Sequence, residues 1–221
     1  MAGPRRRAGA SLIRRVGLLG GSFNPAHRGH RRISLAALDA LALHEIWWLV
    51  SPGNPLKPAA GMAPLASRLA RARRLARGAR IRASAIEAAL GLRYSVDTVR
   101  TLQRRFPNHR FIWLLGSDNI DGFHRWRDWR RLARSVPIAV VGRPTYNGLA
   151  AAAPAAAWLR HFVRPRSTAK HWTSWSLPAI VQVDSRPDPL SATALRRRDP
   201  LWHLRYPPTD PTRAALRRRL P

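Results

Sequence analysis

The 221-residue sequence predicts an α/β fold: a doubly wound, Rossmann-like, mostly parallel sheet with helices on both faces. Two observations predict it. Short, continuous apolar runs recur along the chain, as expected of parallel strands that are buried on both faces. Segments with helical periodicity lie between these runs, and this βαβα alternation is typical of parallel strands joined by right-handed crossovers.

Five apolar runs are predicted as strands, each bounded by Gly, Pro or polar residues. In chain order they are Val16–Leu19, Ile46–Val50, Phe111–Leu115, Pro137–Val141 and Ala179–Val183. Three segments between them are predicted as helices, namely Ile33–Leu43, Pro64–Arg77 and Val96–Phe106. The second helix has one apolar stripe, with arginines elsewhere, formed by Leu65, Leu69, Ala72 and Ala76.

Composition bounds the organisation of the chain. With 45% hydrophobic residues, one domain with its own core is predicted over residues 14–221. Residues 1–13 are predicted to be a basic, disordered tail, with a transit peptide as the alternative. No apolar run approaches the roughly 18 residues of a membrane span. The absence of cysteine excludes disulfides and thiolate chemistry and is compatible with a reducing compartment, so we expect a cytoplasmic protein without a membrane partner.

The formal net charge of +29 favours anionic partners. Nucleic acid is one candidate, because basic side chains that neutralise phosphates drive such binding. However, only Lys57 and Lys170 are lysines, and the arginines are scattered along the chain rather than gathered in one block. We interpret the charge as a coding bias that gives a solvated basic surface, and we expect no specific nucleic-acid partner.

A candidate phosphate site follows the first predicted strand, where residues 17–30 read GLLGGSFNPAHRGH. Gly20 and Gly21 permit unusual backbone angles and a close approach of ligand to main chain. A helix predicted to begin at Gly29–His30 offers N–H groups and a positive dipole end. His27 and His30 can project to the same side and donate to phosphate oxygens, and their spacing is not the common zinc signature.

Residues 20–30 resemble the GG(S/T)FDPxHxGH signature of the nucleotidyltransferase superfamily of adenylyltransferases. The resemblance implies ATP-binding roles for Gly20, Gly21, Ser22, Phe23, His27 and His30. Asn24 stands where aspartate is commonest, so a role that needs a negative charge would be lost, whereas a hydrogen bond would survive.

A second motif, PLSATALR at residues 189–196, resembles the (I/L)S(S/A)Txx(I/L)R signature by which these enzymes bind the ATP polyphosphate. Ser191 or Thr193 can cap a helix and contact an oxygen, and Arg196 can donate two hydrogen bonds to phosphate. Both motifs are expected at one site because each follows a predicted strand of the same domain.

The middle of the chain resembles the nicotinate-nucleotide adenylyltransferase family. The residues that carry the resemblance are Ser51–Lys57, Tyr94-Ser95 with Thr98, Leu115–Asp118, Phe123–Trp129 and Val141–Pro144. In two places the pattern departs from the family, since Leu56 replaces a histidine and Val99 a leucine. The similarity extends from about Val16 to about Arg198.

The family resemblance implies how the mononucleotide would bind. Trp126 would stack on the pyridine ring, with core packing as the alternative, and Trp129 is the better core candidate of the two. Backbone N–H groups near Tyr94 and Ser95 would receive the nicotinate carboxylate. Asp118 would hold ribose hydroxyls or cap the following turn. The resemblance also places Asn24, Lys57 and Arg143 on the substrate side.

The implied reaction is attack by the 5′-phosphate of nicotinate mononucleotide on the α-phosphorus of ATP, which gives deamido-NAD and pyrophosphate. Because the nucleophile is already an anion, the site needs no general base and must instead align two polyanions. His27, His30, Lys57 and Arg196 would carry catalysis, with Mg²⁺ bound mainly through the ATP phosphates.

Two alternatives remain at this point. One is another adenylyltransferase of the superfamily, such as phosphopantetheine adenylyltransferase, which is usually shorter and lacks the segment from Asp118 to Trp126. The other is a basic nucleic-acid-binding protein with an enzyme-like fold. The sequence also leaves open a homo-oligomer and the preference for nicotinate over nicotinamide.

Overall fold

The computed structural model describes residues 13–53, 61–142, 153–186 and 191–207. Its centre is a six-stranded sheet in which every pair of neighbouring strands is parallel. The strands are β1 (Arg14–Gly21), β2 (Glu45–Val50), β3 (Ile81–Ser84), β4 (His109–Gly116), β5 (Ile138–Gly142) and β6 (Ile180–Asp184). Their order across the sheet is β3-β2-β1-β4-β5-β6. The predicted fold class is confirmed.

Seven α-helices lie in the described part of the chain. They are α1 (Arg28–Ala40), α2 (Leu65–Ala76), α3 (Ile86–Ala89), α4 (Ser95–Arg105), α5 (Trp129–Ala133), α6 (Pro154–Leu159) and α7 (Ala192–Arg198). One buried cluster joins one face of the sheet to α4, α5 and α6, through residues such as Val99, Leu132 and Leu159. A second cluster joins the other face to α1 and α2, through residues such as Leu38 and Leu69. The helices therefore cover both faces.

The strand order positions a ligand crevice. From β1 the chain proceeds through β2 to β3 at one edge, and then returns to β4 on the other side of β1. In open parallel sheets, ligands bind outside the carboxyl ends of the strands at such a reversal. Here the two strands that flank it are β1, which ends at Gly21, and β4, which ends at Gly116. The glycine loop at residues 20–30 and the segment Leu115–Asp118 therefore lie side by side at the carboxyl edge of the sheet.

Several elements differ from the sequence-based prediction, since the short helices α3, α5 and α6 were not among the three predicted helices. Helix α1 begins at Arg28, one residue before the start predicted at Gly29–His30 and five before Ile33, where its apolar pattern begins, because its N-terminal turn is held by histidine caps rather than by apolar residues. Strand β3 was not predicted, because its four residues IRAS form a short edge strand with Arg82 exposed.

Some expectations are not tested. Residues 1–12 and most of the low-complexity segment at 145–157 lie outside the described residues, so the division at residue 13 stays a prediction. In the described ranges, the helices are all too short or too polar to cross a bilayer.

Candidate active site

The glycine loop at the end of β1 makes room for an aromatic ring. A Cβ atom on Gly20 would lie 2.9 Å from two ring carbons of Trp113 on β4. The prediction that these glycines supply unusual backbone angles is wrong, since the positive φ in this loop, 47°, belongs to Phe23. The first glycine is needed for the close approach of Trp113 instead.

The two histidines cap helix α1 reciprocally. The N–H of Gly29 donates to Nδ1 of His27 at 3.1 Å, and the N–H of His27 donates to Nδ1 of His30 at 3.2 Å. His27 is the N-cap residue and His30 occupies the third helical position, so together they form a capping box. Because each Nδ1 accepts a hydrogen bond, the neutral rings carry their proton on Nε2. Both imidazoles are thereby fixed as Nε2–H donors.

His30 is kept neutral by burial and packs against aromatic rings. Burial, and then the neighbouring His27, lower its pKa from 6.5 to about 3. The Phe23 ring lies 4.7 Å from the His30 ring and 5.1 Å from that of Trp48, measured between centroids. The indole N–H of Trp48 donates to Ser34 Oγ (2.8 Å), whose hydroxyl donates to the carbonyl of His30 (2.7 Å). The ring of His30 is therefore held by Phe23, and its carbonyl by Ser34.

The second motif reaches the first. Ser191 is the N-cap of α7 and accepts a hydrogen bond from the N–H of Ala194 at 3.1 Å. Arg196, one turn on, donates through Nη1 to the carbonyl of Asn24 at 2.5 Å and through Nη2 to Thr193 Oγ1 at 3.3 Å. Residues 172 positions apart in sequence are therefore neighbours at the carboxyl edge of the sheet.

The side chain of Asn24 is buried and contacts main chain. Its Nδ2 donates to the carbonyl of Gly61 at 2.9 Å, and its Oδ1 accepts from the N–H of Ala63 at 3.3 Å. These contacts tie the loop after β1 to the connection between β2 and α2. They need both an acceptor and a donor, which an asparagine has and a carboxylate lacks.

Asp118 follows β4 in a short 3₁₀ turn, Ser117–Asn119. Its alternative role as a cap is wrong, because Gly116 occupies the cap position and no side chain caps this turn. The turn is held from β5: a Cβ on Gly142 would lie 2.4 Å from Cβ of Ser117. Gly142 of β5 thus lies directly against the first residue of the turn that contains Asp118.

The predicted pyridine-binding residues lie on one face of the sheet. Trp126 is half-buried and meets Trp113 edge-to-face at 6.0 Å between centroids, whereas Trp129 is buried as expected. Tyr94 precedes α4, which Ser95 begins, and no side chain caps that helix start. The guanidinium of Arg127 lies 4.6 Å from the Tyr94 ring centroid, which connects the two segments.

Trp113 links the two halves of this region. Its ring touches the Gly20 position on one side and Trp126 on the other. The ATP side and the pyridine side predicted from sequence are therefore joined by one buried indole. Lys57 and Arg143 lie outside the described residues, and the binding roles of all these residues stay predictions.

Sequence reasoning missed that Glu87 and Arg68 are buried. The carboxyl of Glu87 accepts a hydrogen bond from Thr98 Oγ1 at 2.9 Å, and burial raises its pKa to about 7. Arg68 is 1% exposed in α2. A signal existed for Arg68, since it follows Leu65 by three residues and precedes Ala72 by four, on the predicted apolar stripe.

Fold and site together define a nucleotide-binding α/β protein: two imidazoles cap a helix beside the strand-order reversal, and a guanidinium donates to the loop that precedes them. A family model described as cytidylyltransferase-like matches residues 18–198. The protein named "Probable nicotinate-nucleotide adenylyltransferase" of Erythrobacter litoralis is 57% identical over 192 residues, which are 87% of this chain and 88% of that protein. One of the same name from Gluconobacter oxydans is 49% identical, covering 82% and 93%. The chain belongs to the cytidylyltransferase-like family and, within it, to the nicotinate-nucleotide adenylyltransferases.

Solved structures agree on the fold. The nicotinic acid mononucleotide adenylyltransferase of Plasmodium falciparum, complexed with NaAD, superposes with a TM-score of 0.60 at 17% identity and covers 83% of each chain. A putative nicotinate-nucleotide adenylyltransferase of Vibrio parahaemolyticus superposes with a TM-score of 0.51 at 13% identity, covering 84% of this chain and 80% of that one. At these low sequence identities, the similarity to solved structures shows a shared fold only.

Proposed function

We propose that this protein transfers the adenylyl group of ATP to nicotinate mononucleotide, and so makes deamido-NAD for NAD biosynthesis. The observation that carries the proposal is the hydrogen bond from Arg196 of the second motif to Asn24 of the first, beside the capped histidine pair. Family membership supports the same reaction, because the relatives that match most of this chain have the corresponding name.

The chemistry is a displacement at phosphorus. An oxygen of the mononucleotide 5′-phosphate forms a bond to the α-phosphorus of ATP, and the bond from that phosphorus to the bridging oxygen of pyrophosphate breaks. The nucleophile is an anion and the leaving group departs as an anion, so no side chain has to remove a proton. The protein has to bring two repelling polyanions together and stabilise the charge of the transition state.

The histidines are suited to that role as neutral donors. Nε2–H groups of His27 and His30 would donate to oxygens of the α- and β-phosphates, next to the N–H groups of Gly21–Phe23. A His30 with a pKa of about 3 does not change its charge during turnover near neutral pH. Its contribution is a fixed dipole of the kind that stabilises developing oxyanions. Arg196 and Lys57 would hold the polyphosphate tail, with Ser191 or Thr193 contacting one oxygen.

The mononucleotide would occupy the crevice next to β4. Trp126 would cover the pyridine ring, the N–H groups at the start of α4 near Tyr94 and Ser95 would receive its carboxylate, and Asp118 would bind ribose hydroxyls. Arg143 follows β5 in the sequence and is proposed for the 5′-phosphate side.

Mg²⁺ fits this donor set only as a partner of ATP. No group of three or more His, Asp or Glu side chains comes together in the described ranges, and imidazoles and a guanidinium line the candidate site. We therefore propose that the triphosphate supplies the ligands of Mg²⁺, which neutralises phosphate charge when bound. The cytoplasmic location and a homo-oligomeric state stay predictions.

One assay tests the proposal. Purified protein is incubated with MgATP and nicotinate mononucleotide, nicotinamide mononucleotide or 4′-phosphopantetheine, and pyrophosphate and adenylylated product are measured. We expect deamido-NAD as the main product. Product from 4′-phosphopantetheine alone would instead identify the other adenylyltransferase class.

The nucleic-acid alternative is tested by measuring DNA binding at increasing salt concentration. Charge alone should give weak, sequence-blind DNA binding that disappears as ionic strength rises. Sequence-selective binding at physiological salt, without dinucleotide formation, would contradict the proposed function.

A further inference from the structure

Arg68 is a buried cation without an acidic partner in the part of the chain that the structure describes. Its side chain lies on the buried side of α2. The ion pairs found among the described residues are made by other arginines. Burial lowers its pKa to about 10, so it is still charged at neutral pH. An uncompensated buried charge is expensive, at several kcal/mol per ion. A compensating set of contacts is therefore required.

Four main-chain carbonyls supply that compensation. Nε donates to Ala63 at 2.9 Å, Nη1 to Ser22 and Ser51 at 2.7 Å each, and Nη2 to Pro52 at 3.1 Å. Ser22 belongs to the loop after β1, and the other three belong to the connection between β2 and α2. One planar guanidinium thus joins the two loops through carbonyls that have no strand or helix ladder to pair with.

The contact with Ser22 has a directional consequence. The peptide between Ser22 and Phe23 is not among the cis bonds of the described chain, which are Asn24–Pro25 and Leu177–Pro178. In a planar trans peptide the C=O and N–H point in opposite directions. Because the carbonyl of Ser22 points inward at Arg68, the N–H of Phe23 points away from the core. This N–H lies in the loop that precedes the capped histidines.

Asn24 joins the same two loops a second time, through Gly61 and Ala63. The carbonyl of Ala63 accepts from Arg68 while its N–H donates to Asn24. Residue 63 is therefore held on both sides of its backbone. In the sequence, the held residues 51–52 and 61–63 flank the stretch that contains Lys57.

We propose that Arg68, together with Asn24, is a positioning residue for the transfer reaction: it fixes the loop after β1 against the β2–α2 connection and so orients the main-chain N–H groups that face the ATP phosphates. The proposal rests on the proposed function. It assigns Arg68 no direct contact with substrate, because its donors are directed at protein carbonyls.

The test is Arg68→Lys, with Arg74→Lys on the exposed side of the same helix as the matched control. An ammonium keeps the charge but cannot span carbonyls of two loops with a planar fork. We expect kcat/KM for ATP to fall on the order of 10- to 100-fold, as for a displaced reacting geometry. The KM for nicotinate mononucleotide should stay unchanged, and Arg74→Lys should behave as wild type.

A merely structural role would lower the unfolding temperature of Arg68→Lys but leave both Michaelis constants and kcat unchanged where the variant is folded, and that result would overturn the proposal. If Arg68→Lys does not fold, Asn24→Ala decides. It removes both the donor to the Gly61 carbonyl and the acceptor for the Ala63 N–H without adding a charge, so a smaller, ATP-specific loss is expected. Unchanged ATP kinetics in that variant would also overturn the proposal. A wild-type protein that makes no dinucleotide would instead refute the proposed function.

Discussion

Replacing Glu87 with Gln should stabilise the protein at pH 8 and leave its stability near pH 4 unchanged. The carboxyl is buried in α3, and burial raises its pKa from 4.5 to about 7 against the opposing effect of the Thr98 hydrogen bond. The folded protein therefore holds this proton more tightly than the unfolded chain does. The stability that the group contributes is fully present below pH 4.5 and is lost as the pH rises through 7.

The magnitude follows from the two pKa values. One pKa unit corresponds to about 1.4 kcal/mol, so the change from 4.5 to about 7 amounts to about 3 kcal/mol in the free energy of unfolding. Gln has nearly the same shape, keeps an acceptor for Thr98 and does not ionise. The advantage of Glu87→Gln over wild type should therefore grow from about zero to about 3 kcal/mol between acid and pH 8.

Urea unfolding across that pH range at fixed ionic strength measures this difference. The difference between variant and wild type is the informative quantity, because His30 has the opposite dependence. Its pKa is lowered to about 3, so its contribution is present above pH 6.5 and is lost as the pH falls. The control is Asp39→Asn, which removes a carboxylate from an exposed position. It should change the free energy of unfolding by no more than about 0.5 kcal/mol at any pH. A difference for Glu87→Gln that does not vary with pH would refute the reasoning.

Three further predictions concern the reaction. His30→Ala should lower kcat on the order of 10²–10³-fold, the loss seen when one oxyanion donor is removed; near-normal turnover in a folded variant would remove His30 from the chemistry. Trp126→Ala should raise the KM for nicotinate mononucleotide, since aromatic pairs contribute about 0.5–1.5 kcal/mol beyond area, and an unchanged KM would make it a packing residue only. Gly142→Ala would place a Cβ 2.4 Å from that of Ser117 and displace the Asp118 turn; we expect weaker mononucleotide binding, and a variant with wild-type kinetics would show that the turn adapts.

The sheet was largely predictable from sequence because its central strands are buried on both faces. Val16–Leu19 and Phe111–Leu115 are continuous apolar runs, and the strands observed extend them only at their ends. Strand β3 lacked this signal, since an edge strand can expose a side chain such as Arg82 and be only four residues long. Its pairing with β2 is a long-range contact that local pattern does not encode.

The site was predictable to the extent that its motifs are contiguous. The approach of Arg196 to Asn24 could be expected from two motifs following strands of one sheet. The histidine capping box could not, because Ser, Thr, Asp and Asn are the usual caps. The arginines were interpreted as solvated surface, yet Arg31, Arg71 and Arg80 donate to carbonyls of other segments. Which carbonyls a fold leaves unpaired is known only once the chain is folded.

The hydrogen bond between Arg196 and Asn24 forms between residues that are synthesised at very different times. Within the residues that the structure describes, β6 is the last strand and ends at Asp184, so the six strands of this sheet precede Arg196 in the chain. During synthesis on the ribosome, the residues of the complete sheet emerge before the guanidinium that joins the two motifs. A chain clipped behind β6 would likewise keep every strand and lose the group proposed to hold the triphosphate. On the proposed roles, such a fragment would keep the described residues assigned to the mononucleotide and lack the arginine assigned to ATP, and it would also lose the packing of Trp202 and Tyr206 on Arg71 of α2.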